Sequence, residues 1–87
     1  MGEVKMIQSE LPESMEGTAV SYAKDAMKLK ITESEMAKEI KTKMDKAFGK
    51  HWHCVVGKNF GSYVTHDPGN YVFFYVDKMA FQISRFG

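Results

Sequence analysis

Between His51 and His66 the chain gathers all three of its histidines and its single cysteine. Imidazole and thiol are the side chains of zinc sites and of Cys–His nucleophile pairs, so His51, His53, Cys54 and His66 are where chemistry would first be sought. Their spacing argues against both. On a strand, successive side chains alternate faces, so His51 and His53 share one face and Cys54 points to the other. His66 lies beyond a glycine-containing connection. Structural zinc sites need converging ligands at C-x-x-C or H-x-x-x-H type spacings, and none occurs here. A nucleophilic cysteine needs a cleft, an acidic thiol and an oriented imidazole. Cys54 sits among Trp52, Val55 and Val56, where it reads as a small buried hydrophobe. No Ser/His/Asp set, phosphate-cradling loop or strong carboxylate pair occurs elsewhere. The expectation is a chain with no catalytic residues, metal or cofactor; a thiol or metal enzyme at Cys54 and the histidines is the alternative.

The elements that carry this stretch can be read from periodicity. Val4–Gln8 is a short strand with Val4, Met6 and Gln8 on one face. Pro12 suits a helix first turn, and Met15, Ala19, Tyr22, Ala26 and Leu29 recur at helical spacing up to about Lys30, with Gly17 as a weak point. Thr32 and Glu35 form a capping box, each side chain able to serve a free backbone N–H of the other. Met36, Ile40, Met44 and Phe48 then give the buried stripe, and Lys38, Glu39, Lys41, Lys43 and Lys46 most of the solvated side. Gly49 stops the helix. Strands follow at residues 51–57 and 60–66. The turn "DPGN", Asp67 to Asn70, leads into a hairpin of Tyr71–Val76 and residues 79–86 around Asp77 and Lys78. The order is β-α-α-β-β-β-β, an α+β chain with two helices packed on an antiparallel sheet.

Composition sets the outer bounds. The 87 residues read as one domain, 1–87, with 44% apolar residues and a formal charge of +1 from 12 basic and 11 acidic side chains. That balance draws the chain neither to nucleic acid nor to an anionic membrane. One cysteine fits a reducing compartment. No apolar run suits a signal peptide or a membrane span, and Met6 breaks the myristoylation pattern after Gly2. A soluble intracellular protein is expected.

The last hairpin is the informative one. Tyr71, Phe73 and Tyr75 share one face and Val72, Phe74 and Val76 the other; Met79, Phe81 and Ile83 alternate with Ala80, Gln82 and Ser84. A sheet wet on one side alternates apolar and polar residues; the first strand here is apolar on both. Two helices can cover one face only. A second copy packed against the other face, as a two-fold homodimer, answers the surplus; the alternative is a monomer that hides the rings by twist. Gly57 and Gly61 bracket the start of the 60–66 strand, which could swing away, pair with a neighbouring subunit and leave an edge able to recruit an extended peptide.

The run Trp52-His53-Cys54, Gly57, then Asn59-Phe60-Gly61-Ser62-Tyr63-Val64-Thr65-His66, continuing through "YVFFYV" and both helices, resembles the cytoplasmic dynein light chain family of the LC-eight type. The resemblance implies a strand-exchanged homodimer with face-to-face sheets. In it the 60–66 strand crosses to the partner, and two grooves form between that strand and the second helix of the other subunit. Short peptides, often with a Thr-Gln-Thr-like core, add there as an extra strand. The groove would be lined by Asn59, Phe60, Gly61, Ser62, Tyr63, Val64, Thr65 and His66. Its floor would be Tyr71, Phe73, Tyr75, Ala80 and Gln82, with Glu33 and Ser34 receiving a central Gln of the peptide. His53, Lys58, Phe60, Ser62 and Tyr63 would meet the partner. The implied partners are a second copy, the dynein intermediate chain and other disordered linear motifs, in the cytoplasm on microtubule-associated dynein. Protonation of His53 against its symmetry mate would split the dimer below about pH 6.

The chain also departs from the family pattern. Ser34 stands for a usual Lys, Lys58 for an Arg, Gln82 for an apolar groove residue and Asp77 for a turn Gly. A near-terminal serine of the family falls at Phe86, so regulation through that serine is not carried over. These departures leave open a diverged light chain with an altered peptide repertoire acting outside dynein.

Overall fold

Thr32 and Glu35 do form the reciprocal cap that their spacing predicts. The Thr32 hydroxyl accepts the Glu35 N–H at 3.1 Å, and the Glu35 carboxylate accepts the Thr32 N–H at 2.9 Å. The Thr32 N–H first, and then the Thr32 hydroxyl donating to the same carboxylate at 3.1 Å, hold the Glu35 carboxyl below its ordinary value. The computed structural model describes residues 3–58 and 69–85. Its elements are β1 (Val4–Ser9), α1 (Glu13–Lys28), α2 (Glu33–Phe48), β2 (Trp52–Gly57), β3 (Tyr71–Val76) and β4 (Met79–Arg85). The strand expected at residues 60–66, and Asp67 and Pro68 of the turn, lie outside the described residues.

The strands form an antiparallel sheet in the order β1-β3-β4-β2. Val72, Phe74 and Val76 of β3, Phe81 and Ile83 of β4 and Trp52 of β2 are buried together with Ala19, Ala23 and Ala26 of α1 and Met36, Ile40 and Met44 of α2. Phe74 and Phe81 face each other across β3 and β4 with their rings stacked at 5.5 Å. The alanines of α1 let that helix lie close to its neighbours, since a small side chain keeps the backbones near. α2 packs on β2 and α1 packs on α2, so the helices form one layer on one side of the sheet.

Two sequence expectations change. Leu29 is 53% exposed, and Ala23 takes its place on the buried side of α1. The helix ends at Lys28, and Lys30 turns with a φ of 56° before the α2 cap. Val4, Met6 and Gln8 do not share a face. The register shifts between Met6 and Gln8, so Val4 and Met6 pair opposite Val76 and Phe74 while Gln8 pairs opposite Phe73. Ile7 is the extra residue of this β-bulge and is 48% exposed. A bulge reverses the alternation of the strand beyond it, and hydrophobicity alone does not announce it.

The ends of α2, β2 and β4 are joined by polar contacts. Gly49, at a φ of 89°, closes α2 by donating its N–H to the Asp45 carbonyl at 3.0 Å. The Asp45 carboxylate accepts from Lys41 Nζ at 2.6 Å and from the Trp52 N–H at 2.9 Å. Lys41 first, then the Trp52 backbone, keep the Asp45 carboxyl below its ordinary range. Arg85 Nε donates to the Lys50 carbonyl at 2.7 Å, and its guanidinium lies 5.9 Å from the centre of the Trp52 ring. At the other end, Asp77 takes up the left-handed turn at a φ of 55°. Its N–H donates to the Glu3 carbonyl at 2.8 Å, and its carboxylate accepts the Glu3 N–H at 3.0 Å. An Asp tolerates this conformation better than most residues, and here its side chain also ties the turn to the start of β1.

Candidate functional site

The sheet face turned away from the helices is organised in three cross-strand rows. Tyr71, Ser84 and His53 form the first. Gln8, Phe73, Gln82 and Val55 form the second. Lys5, Tyr75, Ala80 and Gly57 form the third. The rows follow from alternation: once Val72, Phe74 and Val76 are committed to the helix side, their neighbours must point the other way. All five expected floor residues, Tyr71, Phe73, Tyr75, Ala80 and Gln82, therefore lie on one surface, beside His53. Phe73 and Tyr75 stack obliquely, with ring centres 5.8 Å apart, and both are half-buried.

A polar pair sits within this aromatic surface. Gln82 is 3% exposed, and its Nε2 donates to the Tyr71 hydroxyl oxygen at 3.0 Å. The two residues are diagonal neighbours on adjacent strands, a separation that long side chains can span. Ser84, directly opposite Tyr71, is small enough to leave the phenol room to reach sideways. A buried amide is tolerated when it is hydrogen-bonded, which accounts for Gln82 among the rings of this face.

The other expected residues are placed differently. Glu33 and Ser34 are exposed in the first turn of α2, in the helix layer, and are not part of the three rows. α2 and β2 are packed together and joined by a short connection, so they run in opposite directions and the start of α2 lies toward the Gly57 end of β2. Lys58 is exposed just beyond that end. Asn59, Phe60, Gly61, Ser62, Tyr63, Val64, Thr65 and His66 lie outside the described residues. In sheet order β2 is an edge strand among the described residues, and so is β1.

Among the described residues, His51, His53 and Cys54 are not gathered into one cluster. His51 is exposed ahead of β2, His53 is exposed on the row face, and Cys54 pairs opposite Ile83 on the core side. Burial pushes the Cys54 thiol up to about 12, the reverse of what a nucleophile needs. Among the described residues no group of three His, Cys, Asp or Glu side chains is gathered as metal ligands.

Sequence reasoning missed Val55, Lys5 and Gln8 on the row face, and Ile7 at the bulge beside them. Val55 is 45% exposed beside Gln82, and its place follows from the same alternation that buries Trp52 and Val56. Lys5 opposite Tyr75 depends on where the β1 bulge falls, which the sequence did not signal. Ile7, with Lys5, Lys58, Tyr75, Asp77 and Lys78, lines a shallow open depression of about 700 Å³ at the hairpin end of the sheet.

Comparison with known proteins agrees with this architecture. The family described as Dynein light chain type 1 matches residues 3–86. A protein of Candida glabrata named "Dynein light chain 1, cytoplasmic" is 39% identical over 85 residues, covering 98% of this chain and 99% of its own. A Schistosoma mansoni protein named "Dynein light chain" is 36% identical over the whole of both chains. Among solved structures, the dynein light chain-like domain of a Fasciola hepatica calcium binding protein superposes with a TM-score of 0.84 at 20% identity. It covers 99% of this chain and 93% of that one, a likeness of fold. With a family match over nearly its full length, close relatives of equal size and the same layered fold, this chain belongs to the dynein light chain family.

Proposed function

We propose that this chain is a non-enzymatic light chain of a cytoplasmic dynein motor, working as a two-fold dimer that binds short extended peptides by strand addition. Family membership supports the light-chain role, and the fungal relatives carry the cytoplasmic name. The observation that carries the dimer and groove is the three-row face: Tyr71, Phe73 and Tyr75 on the side of the sheet opposite the helices, with β4 between them and the edge strand β2. In this reading the partner's 60–66 strand pairs along β2, and His53, Lys58, Phe60, Ser62 and Tyr63 meet the other chain. The peptide, such as a segment of the dynein intermediate chain, lies along Asn59–His66 over the floor residues. Glu33 and Ser34 come from the second helix of the subunit that does not supply the strand, where free N–H groups of a helix start can receive a peptide carbonyl oxygen.

Two such grooves on one dimer raise the effective concentration of the second segment of a bivalent partner, which makes the protein a dimerising hub. Single-site binding is then modest, because ordering a flexible peptide opposes its contacts. Sedimentation and isothermal titration test the reading together. The expected result is a dimer at neutral pH that releases or absorbs heat with a Thr-Gln-Thr peptide at one site per chain. A stable monomer with no heat and no competition at high peptide concentration refutes it. A diverged peptide repertoire is the second reading, and the Tyr71–Gln82 hydrogen bond within the floor favours it.

A further inference from the structure

We propose that Asp45 sets the register in which a second copy's strand adds along β2, by occupying the backbone donor that a slipped strand would need. This rests on the dimer reading above and names the residue that fixes the pairing. The direction of each backbone group follows from the hydrogen bonds of the sheet. In an antiparallel pair, residues alternate between those whose N–H and C=O face the neighbouring strand and those whose groups face away. Arg85 donates its N–H to the Asn70 carbonyl at 2.9 Å, so its backbone groups face the β3 side and not β2. Arg85 pairs opposite Trp52, Ile83 opposite Cys54 and Phe81 opposite Val56. Trp52, Cys54 and Val56 therefore turn their N–H and C=O groups to the outer edge of β2, while His53, Val55 and Gly57 turn theirs to β4. The bonds from the Glu10 N–H to the Tyr71 carbonyl and from the Asp77 N–H to the Glu3 carbonyl fit the same alternation carried through β3.

The first of these outward donors is taken. The Trp52 N–H donates to the Asp45 carboxylate at 2.9 Å. That carboxylate is itself held in place: Lys41 Nζ donates to it at 2.6 Å, and the Gly49 N–H closes the helix on the Asp45 carbonyl at 3.0 Å. The Lys50 carbonyl, just ahead of β2, is engaged by Arg85 Nε at 2.7 Å. An added strand thus finds its β2 donors at Cys54 and Val56. A slip of one residue would turn that strand's buried side chains to the wrong face, so burial already excludes it. A slip of two residues keeps the faces and shifts the strand by ~7 Å. Toward the start of β2, such a slip needs the Trp52 N–H, and Asp45 withholds it. A charged side chain that closes part of an edge is a recognised way of limiting what pairs there.

Amide hydrogen exchange on the full chain tests this, run at protein concentrations above and below the dimer dissociation constant, then quenched and read residue by residue by NMR. Association slows the Cys54 and Val56 amides about tenfold or more, while the Trp52 amide is slow at both concentrations. In Asp45→Ala the Trp52 amide becomes fast in the dilute sample, and residues 53–57 of the dimer give a second set of resonances. The inward-facing His53 and Val55 amides keep their rates; a merely structural Asp45 would speed every β2 amide together. Asp45→Asn, which keeps an oxygen for the Trp52 N–H, behaves as the natural protein does. If Asp45→Ala dimerises with a single set of resonances, the register stop is refuted and the dimer stands. Should that variant not fold, the natural protein decides: a Trp52 amide that follows concentration as Cys54 does refutes the stop. If the natural protein is a monomer at every concentration, or dimerises without slowing Cys54 and Val56, the reading of β2 as the pairing edge fails and the stop fails with it.

Discussion

The Tyr71–Gln82 pair invites a double-mutant cycle, because each partner is buried and each can be replaced by an apolar residue of similar size. Gln82 is 3% exposed and Tyr71 8%, and one hydrogen bond of 3.0 Å joins them. Gln82→Leu removes the amide donor but leaves the phenol oxygen buried. Its cost is the loss of a hydrogen bond plus part of the desolvation of that oxygen, offset by the added apolar burial, so about 1–2 kcal/mol. Tyr71→Phe leaves the amide in the same position, and a similar cost is expected. Replacing both removes both polar groups, and the double variant should lie within about 1 kcal/mol of the natural protein. The coupling energy is therefore about 1 kcal/mol or more, well above the ~0.5 kcal/mol scatter of independent sites. Urea unfolding at a fixed protein concentration measures it, since an associating protein's stability depends on concentration. In thermal unfolding, 1 kcal/mol corresponds to about 4–8 °C for a chain of this size. Strict additivity of the two single changes would refute the reasoning: the hydrogen bond would then contribute nothing, and the polar pair in the floor would have another cause.

Three further outcomes follow from other parts of the molecule. Thr32→Ala should cost about 1 kcal/mol by denaturant unfolding, since it removes the acceptor that caps α2. Glu35 and Asp45 both have carboxyls held below their ordinary values. Their contribution is complete above the unfolded values, near 4.5 and 3.8, and is lost as pH falls through the lower folded ones. Stability should thus decline on acidification below about pH 4.5, and the variant Asp45→Asn should show a shallower decline than the natural protein. With its thiol pushed up to about 12, Cys54 should react with a thiol reagent at pH 8 far more slowly in the folded protein than in urea; equal rates would mean the thiol is not buried.

Much of the architecture was legible because it is local. The Thr32–Glu35 cap, the Met36–Ile40–Met44 stripe and the Gly49 stop are short-range patterns, and each is present where the spacing put it. The two faces of β3 were equally readable, because alternation along a strand admits no other solution once Val72, Phe74 and Val76 are buried. The same rule separates His53 from Cys54, which lie on opposite faces of β2. The run from Trp52 to His66 was specific enough to name the family, which the match over residues 3–86 bears out.

Other features were fixed only when distant parts of the chain met. The bulge at Ile7 depends on how β1 registers against β3, and it turned Gln8 to the opposite face. Leu29 has a core-like character in sequence but ends up exposed, because α1 stops two residues after its last buried alanine and Leu29 falls at its cap. The Tyr71–Gln82 hydrogen bond, the Asp77–Glu3 tie and the shallow depression at the hairpin end each join residues from different strands or turns. The sequence determined which residues each strand and helix shows to either side, since backbone geometry fixes those periods. The tertiary structure decided which of them become neighbours, because register and packing are properties of the whole sheet.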